Sequence, residues 1–140
     1  MSDEELFAQL YPSLRRFAAV AKTPEADADD LVQEALVRAL ALRPLSEYTN
    51  PAAYLRRTML NLASNAHRSS GRARRALRRL GAPTEARVDY PSDLEDLLQL
   101  APVQRAAVYL AVVEGLSHAA IGETLGCSEA AARTRVSRGL

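Results

Sequence analysis

Residues 114–137, EGLSHAAIGETLGCSEAAARTRVS, read as two short helices joined by a glycine turn, and that reading decides the fold. Ser117 is placed to cap the first helix, whose Ala120, Ile121 and Leu125 fall on one face at helical spacing. Gly126 follows the last apolar residue, where a left-handed backbone is needed and glycine adopts it without steric penalty. Ser128 caps the second helix, in which Ala132 and Val136, four apart, face inward. Arg133, Thr134 and Ser137 lie on its other side, with Arg138 near the end. The pattern suits one helix laid in the major groove of DNA while its partner braces it across the backbone.

The chain has 140 residues, enough for one ordinary domain or two very small ones. Apolar residues make up 48% and aromatics 5%; with sparse glycine and abundant alanine and leucine, this predicts helices throughout. No alternating run marks a strand, so the expected class is all-α. No apolar stretch approaches the ~20 residues of a membrane span, and the acidic start MSDEEL is not a signal peptide. A cytoplasmic protein without membrane insertion is expected. Cys127 is the only cysteine, which leaves no intrachain disulfide and suits a small buried residue in the turn. His67 and His118 have no partner ligands at metal spacing. There is no nucleophile–base constellation and no phosphate-cradling glycine loop. No catalytic, metal-binding or cofactor-binding residue is therefore assigned, and no enzyme is expected.

Net charge is only +1, but it is unevenly spread. Residues 1–50 carry five basic and nine acidic groups, a balance of −4. Residues 51–90 carry nine arginines against two acids, +7, and residues 91–140 four bases against six acids, −2. A positive block between acidic segments suits a polyanion in the middle and a different partner near the start.

Outward from the C-terminal pair, Pro102 opens the helix PVQRAAVYLAVV, apolar nearly all round and expected to form the core of its unit. Ser92 with Glu95 makes a capping box for DLEDLLQL. Gly81, Pro83 and Pro91 punctuate a polar stretch, which places a flexible basic linker at residues 71–91, following SSGRARRALRRL. This divides the chain into residues 1–70, the linker 71–91, and residues 92–140. In the first unit, Leu6, Leu10, Leu14 and Phe17 predict an amphipathic helix with Pro12 as a kink point. Thr23-Pro24-Glu25 reads as a helix start before DADDLVQEALVRAL, whose apolar stripe is Val32, Ala35, Leu36, Ala39 and Leu40. Asp29, Asp30, Gln33 and Glu34 gather on its polar side, either as a solvated face or as a binding one. Asn50-Pro51 is again a cap and a first helical residue. The helix NPAAYLRRTMLNLASNAHR buries Leu55, Met59, Leu62 and Ala66, and projects Arg57, Asn61, Asn65 and Arg68 from another face. Such a stripe has the donors needed for phosphates and base edges, although a merely soluble face has the same composition.

Together these segments resemble the bacterial sigma factors, specifically the small two-domain extracytoplasmic-function (ECF) group. DADDLVQEALVRAL is similar to that family's core-polymerase-binding helix and YLRRTMLNLASNAHR to its promoter-melting helix. PVQR through EGLSHAAIGETLGCSEAAARTRVSR resembles its C-terminal helix-turn-helix. All three occur in the family's order, with a basic linker between. The resemblance implies a transcription initiation factor that binds core RNA polymerase, melts a −10 promoter element with its N-terminal helical domain and binds the −35 element with its C-terminal domain.

Carried over by position, Asp30, Gln33 and Glu34, with Leu31 alongside, would dock on the clamp of the polymerase β′ subunit, the β subunit being a further contact. Asn61 and Asn65 would meet the opened −10 element, and Tyr48 in the preceding loop would stack on a flipped base. Arg56, Arg57 and Arg68 would hold phosphates. Arg133, Thr134 and Ser137 would face the −35 element and Arg135 and Arg138 its backbone, with the N–H groups of Ser128 and Glu129 meeting a phosphate. The family also implies an anti-sigma factor as partner. The sequence departs from the family at Tyr54, where tryptophan is usual, and at Ala131 and Ala132, which replace threonine or glycine and a β-branched residue. It stops at Gly139-Leu140, short of the family's further basic residues, which implies a shortened chain or weakened −35 binding. The competing readings are an ordinary helix-turn-helix repressor or activator acting without polymerase, which leaves the acidic helix without a purpose, and a pure protein-interaction module.

Overall fold

The computed structural model describes residues 1–80 and 101–140. Six α-helices and one 3-10 turn run through them, and no strand occurs among the described residues. The helices are α1 (Asp3–Ala21), α2 (Ala28–Leu42), α3 (Pro51–Arg79), α4 (Pro102–Val112), α5 (His118–Leu125) and α6 (Glu129–Gly139), with the 3-10 turn at Leu45–Glu47.

Local signals set most of the boundaries. Ser2 accepts from the Glu5 N–H at the head of α1, where Asp3, Glu4 and Glu5 also complement the positive helix end. The helix runs through Pro12, whose ring faces solvent, where it fills no space in the core. Asn50 Oδ1 accepts from Ala53 N at 3.1 Å, and Pro51 takes the first position of α3, as the Asn50-Pro51 pair predicts. Ser117 and Ser128 accept from Ala120 N and Ala131 N, each at 3.1 Å. Gly126 closes α5 in the left-handed region, at φ 77°.

Four expectations are corrected. Thr23-Pro24-Glu25 does not start α2: Thr23 and Pro24 open a turn closed by Ala26 N donating to the Thr23 carbonyl, and Asp27 caps the helix through Asp29 N at 2.7 Å. Proline pre-sets such a turn as well as it starts a helix, and a carboxylate four residues on supplies the cap. In α2's stripe, Leu40 is exposed and Ala28 and Leu31 are buried instead. In α3, Ala66 is exposed, because the buried face shifts to Ala53, Leu55, Met59, Leu60 and Ala63. The helix also runs nine residues into the stretch read as linker, ending at Arg79. The capping box at Ser92 and Glu95, its helix, and Gly81, Pro83 and Pro91 lie outside the described residues.

One apolar core joins the N- and C-terminal units. Leu14, Phe17, Val32, Leu55 and Met59 from the first unit and Ala106, Leu110, Ile121 and Val136 from the second belong to the same cluster. Phe17 meets Tyr109 edge to face, with ring centres 6.3 Å apart. Arg105, the lone charge in the apolar stretch of α4, is buried and donates to the carbonyls of Ala21 and Lys22 at the end of α1, at 3.4 and 3.0 Å. A helix C-terminus carries partial negative charge, so a cation there needs no carboxylate. Burial lowers the Arg105 guanidinium below its ordinary value.

Candidate nucleic-acid interface

Three charged surfaces result. On α2, Asp30, Gln33 and Glu34 stand on the outer face, all exposed. Leu31 is buried, 8% exposed, so it supports this face from beneath and does not form part of it. Glu34 pairs with Arg38 one turn on, at 3.1 Å. Val37 continues the same stripe as an exposed apolar residue. Asp29 turns away, paired with Arg15 at 2.9 Å and accepting from the Tyr11 hydroxyl, a bond that raises the Tyr11 phenol above its ordinary value.

The second surface lies where the 3-10 turn leads into α3. Tyr48, half-buried, donates its hydroxyl to the Ala39 carbonyl at 2.7 Å, which fixes the ring at the end of α2. Tyr54 lies tilted against it with ring centres 4.4 Å apart, and the Arg43 guanidinium sits 5.1 Å from its centre. Burial, then Tyr54, raises the Tyr48 phenol above its ordinary value. These rings with Asn50, Arg57 and Glu123 surround a cleft of about 280 Å³. Along α3, Arg57, Asn61, Asn65 and Arg68 are exposed on one face, and Arg68 donates to Asn65 Oδ1. Arg56 departs from that face: it is buried beside Phe17 and donates to Glu114.

The third surface is α6. Arg133, Thr134, Ser137 and Arg138 are exposed, with Ser128 and Glu129 at its start. Arg133 pairs loosely with Glu129 at 3.6 Å, and the Thr134 hydroxyl donates to the Ala130 carbonyl at 3.1 Å. Ala132 is fully buried, so its small side chain sets how closely α6 seats on its neighbours. Gly122 in α5 serves the same closeness: a Cβ there would stand 2.7 Å from the Cys127 carbonyl oxygen. Cys127 itself is half-buried in the turn. Arg135 and Arg138 converge with His67 and Arg68 on a cleft of about 370 Å³ at the start of α4. Among the described residues no group of His, Cys, Asp and Glu is arranged to hold a metal ion, and no helix is long and apolar enough to cross a membrane.

Sequence reasoning missed Arg105, Glu114 and Glu123, which join the two units. Arg105 alone left a trace, as a single charge in an otherwise apolar run.

A capped helix pair with an exposed arginine-bearing second helix, preceded by a long helix with an Arg/Asn face, defines a DNA-binding protein of helix-turn-helix type. The family model for sigma-70 region 2 matches residues 6–73, and that for sigma-70 region 4 matches residues 96–140. The chain belongs to the sigma-70 family and is a transcription initiation sigma factor of the extracytoplasmic-function type. Its fold is similar to that of the sigma factor RpoE in complex with the anti-sigma factor NepR from Bartonella quintana, at 26% identity and a TM-score of 0.69. The match covers 97% of this chain and 90% of the other. No curated protein matches the chain.

Proposed function

We propose that α2 carries the polymerase-docking face and α3 and α6 the two promoter-reading faces of this sigma factor. Asp30, Gln33 and Glu34 form the docking stripe on the β′ clamp. Asn61 and Asn65 take unpaired bases of the −10 element, the cleft beside Tyr48 receives a flipped base, and Arg57 and Arg68 hold phosphates. Arg133, Thr134 and Ser137 read the −35 element while Arg135, Arg138 and the start of α6 at Ser128 and Glu129 hold its backbone. Residues 1–70 and 92–140 are the working domains, joined through residues 71–91.

One observation carries this reading. The carboxylates of α2 and the amides of α3 are exposed on neighbouring helices that share one apolar core, so a protein surface and a DNA strand can be held together. Unpaired bases captured by amide donors and an aromatic cleft favour the opened strand over the duplex, which is how binding alone can drive melting. The chain then supplies no catalysis; polymerase does the chemistry. A cytoplasmic location follows from that partner. An anti-sigma factor is the expected regulator, supported by the NepR-bound relative. Run-off transcription with purified core polymerase on a promoter library tests the proposal: chain-dependent transcripts are expected, and their absence from every promoter would refute it.

A further inference from the structure

Helices α3, α4 and α6 meet at the cleft of about 370 Å³ at the start of α4, and each brings groups suited to an anion. Ser64, His67 and Arg68 come from α3, Arg135 and Arg138 from α6, and the first turn of α4 completes the lining. No carboxylate is among the lining residues, and none of these three arginines has an ion pair among the described residues. Guanidinium groups gathered without a counter-charge repel one another, and an anion between them removes that repulsion.

Two features set this cluster apart from a solvated arginine face. Arg135 is half-buried, whereas Arg133, Thr134 and Ser137 are exposed. Helical period puts Arg135 and Arg138, three apart, on one side of α6 and Arg133 and Ser137, four apart, on another. The end of α6 also lies hard against α4: a Cβ at Gly139 would strike Val108 Cγ2, with the Gln104 carbonyl oxygen 3.5 Å away. That contact keeps Arg138 beside the head of α4. There Pro102 opens the helix and no side chain caps it among the described residues, so the positive helix end adds to the cations.

We propose that this cleft is a binding site for a small phosphorylated ligand of the nucleoside-diphosphate class. Arginine forks match phosphate oxygens, so Arg68, Arg135 and Arg138 hold the two phosphates, helped by the N-terminus of α4. The imidazole of His67 stacks on the base, and the Ser64 hydroxyl and Gln104 amide offer hydrogen bonds to its edge or to the sugar. Ligand pockets run from about 300 to 1,000 Å³, and this one lies at the small end, which suits a nucleotide better than a larger cofactor. The inference goes beyond the promoter assignments, giving Arg135 and Arg138 a second ligand between α3, α4 and α6.

Isothermal titration calorimetry of the full chain with ADP, GDP and pyrophosphate tests the site. Saturable binding of at least one nucleotide is expected, about tenfold tighter than pyrophosphate, which has no base to stack. Arg135→Met and Arg138→Met should each weaken it about tenfold, the scale of one hydrogen bond to a charged group. Arg16→Met, which removes the same charge from an exposed position on α1, should match the parent. If Arg135→Met fails to fold by circular dichroism, Arg138→Met, at an exposed position, carries the test alone. No saturable binding of either nucleotide at millimolar concentration overturns the proposal. So does equal weakening by Arg16→Met, because net charge then accounts for the affinity. Pyrophosphate binding as tightly as both nucleotides overturns the nucleoside assignment. Binding of a mixed-sequence DNA duplex that Arg135→Met weakens, with neither nucleotide bound, gives the cleft to a DNA backbone and also overturns it.

Discussion

Helices α2 and α3 lie side by side on one core, yet their charged faces are in opposite states. On α2 the charges answer only to near neighbours: Glu34 to Arg38 one turn away, Asp29 to Arg15 and Tyr11, with Asp30 exposed. Pairs of that kind on an exposed helix contribute about 0.3–0.5 kcal/mol, so a protein partner displaces them at little cost. On α3 the first two arginines reach across the molecule, to Glu114 and to the Glu123 carbonyl. Arg56 is buried by that contact, whereas Arg57 stays exposed with one donor engaged. The difference separates a face whose charges are held locally from one whose first arginines are held by the other unit.

The heaviest blow to this comparison is Phe17→Ala. Phe17 is fully buried, packs on Tyr109 and lies under the Arg56 guanidinium, so it supports both helices and the contact between the two units at once. A loss of about 3–5 kcal/mol in unfolding free energy is expected by denaturant titration. A loss under about 1 kcal/mol would mean that the two units do not share a core in solution.

Asp30→Arg separates docking from folding. Reversing an exposed charge should leave stability within about 0.5 kcal/mol, while affinity for core polymerase falls about a hundredfold. Normal assembly of this variant would move the docking face elsewhere. Asn61→Ala tests the neighbouring helix: strand opening by the assembled polymerase should slow about tenfold, the scale of one lost base contact, with polymerase affinity unchanged. Equal loss of both would remove the distinction between the two faces.

How far this was readable in advance depends on the range of each signal. Asn50, Ser117 and Ser128 cap helices, and Gly126 turns the chain, because each acts within four residues of itself. The exposed stripes of α2 and α3 followed from helical period alone. Thr23-Pro24 misled because a proline after a hydroxyl serves a turn and a helix start equally. Ala66 and Leu40 were placed inside by period but stand outside, since the depth of a helix's burial depends on its neighbours' extent. The contact between the two units left almost no trace. Arg56 and Glu114 are 58 residues apart, and neither position advertises its partner. Arg56 consequently carried a phosphate assignment that its burial against Glu114 does not fit.

The smallest expected effect ties a local signal to that long-range one. Gly126 has φ 77°, and an alanine there enters the left-handed region at a cost of about 1 kcal/mol. Its Cβ would also stand 3.2 Å from Arg57 Nε and 3.4 Å from Cζ, closer than the side chain accommodates without shifting. The far end of an arginine is flexible, so it moves before the turn does, and its bond to the Glu123 carbonyl weakens. Gly126→Ala should therefore lower unfolding free energy by about 1 kcal/mol and yet slightly raise single-stranded DNA affinity, two changes that ordinary destabilisation does not couple. Parallel loss of stability and DNA affinity would show that Arg57 is free of the turn in solution, and would confine the contrast between α2 and α3 to Arg56.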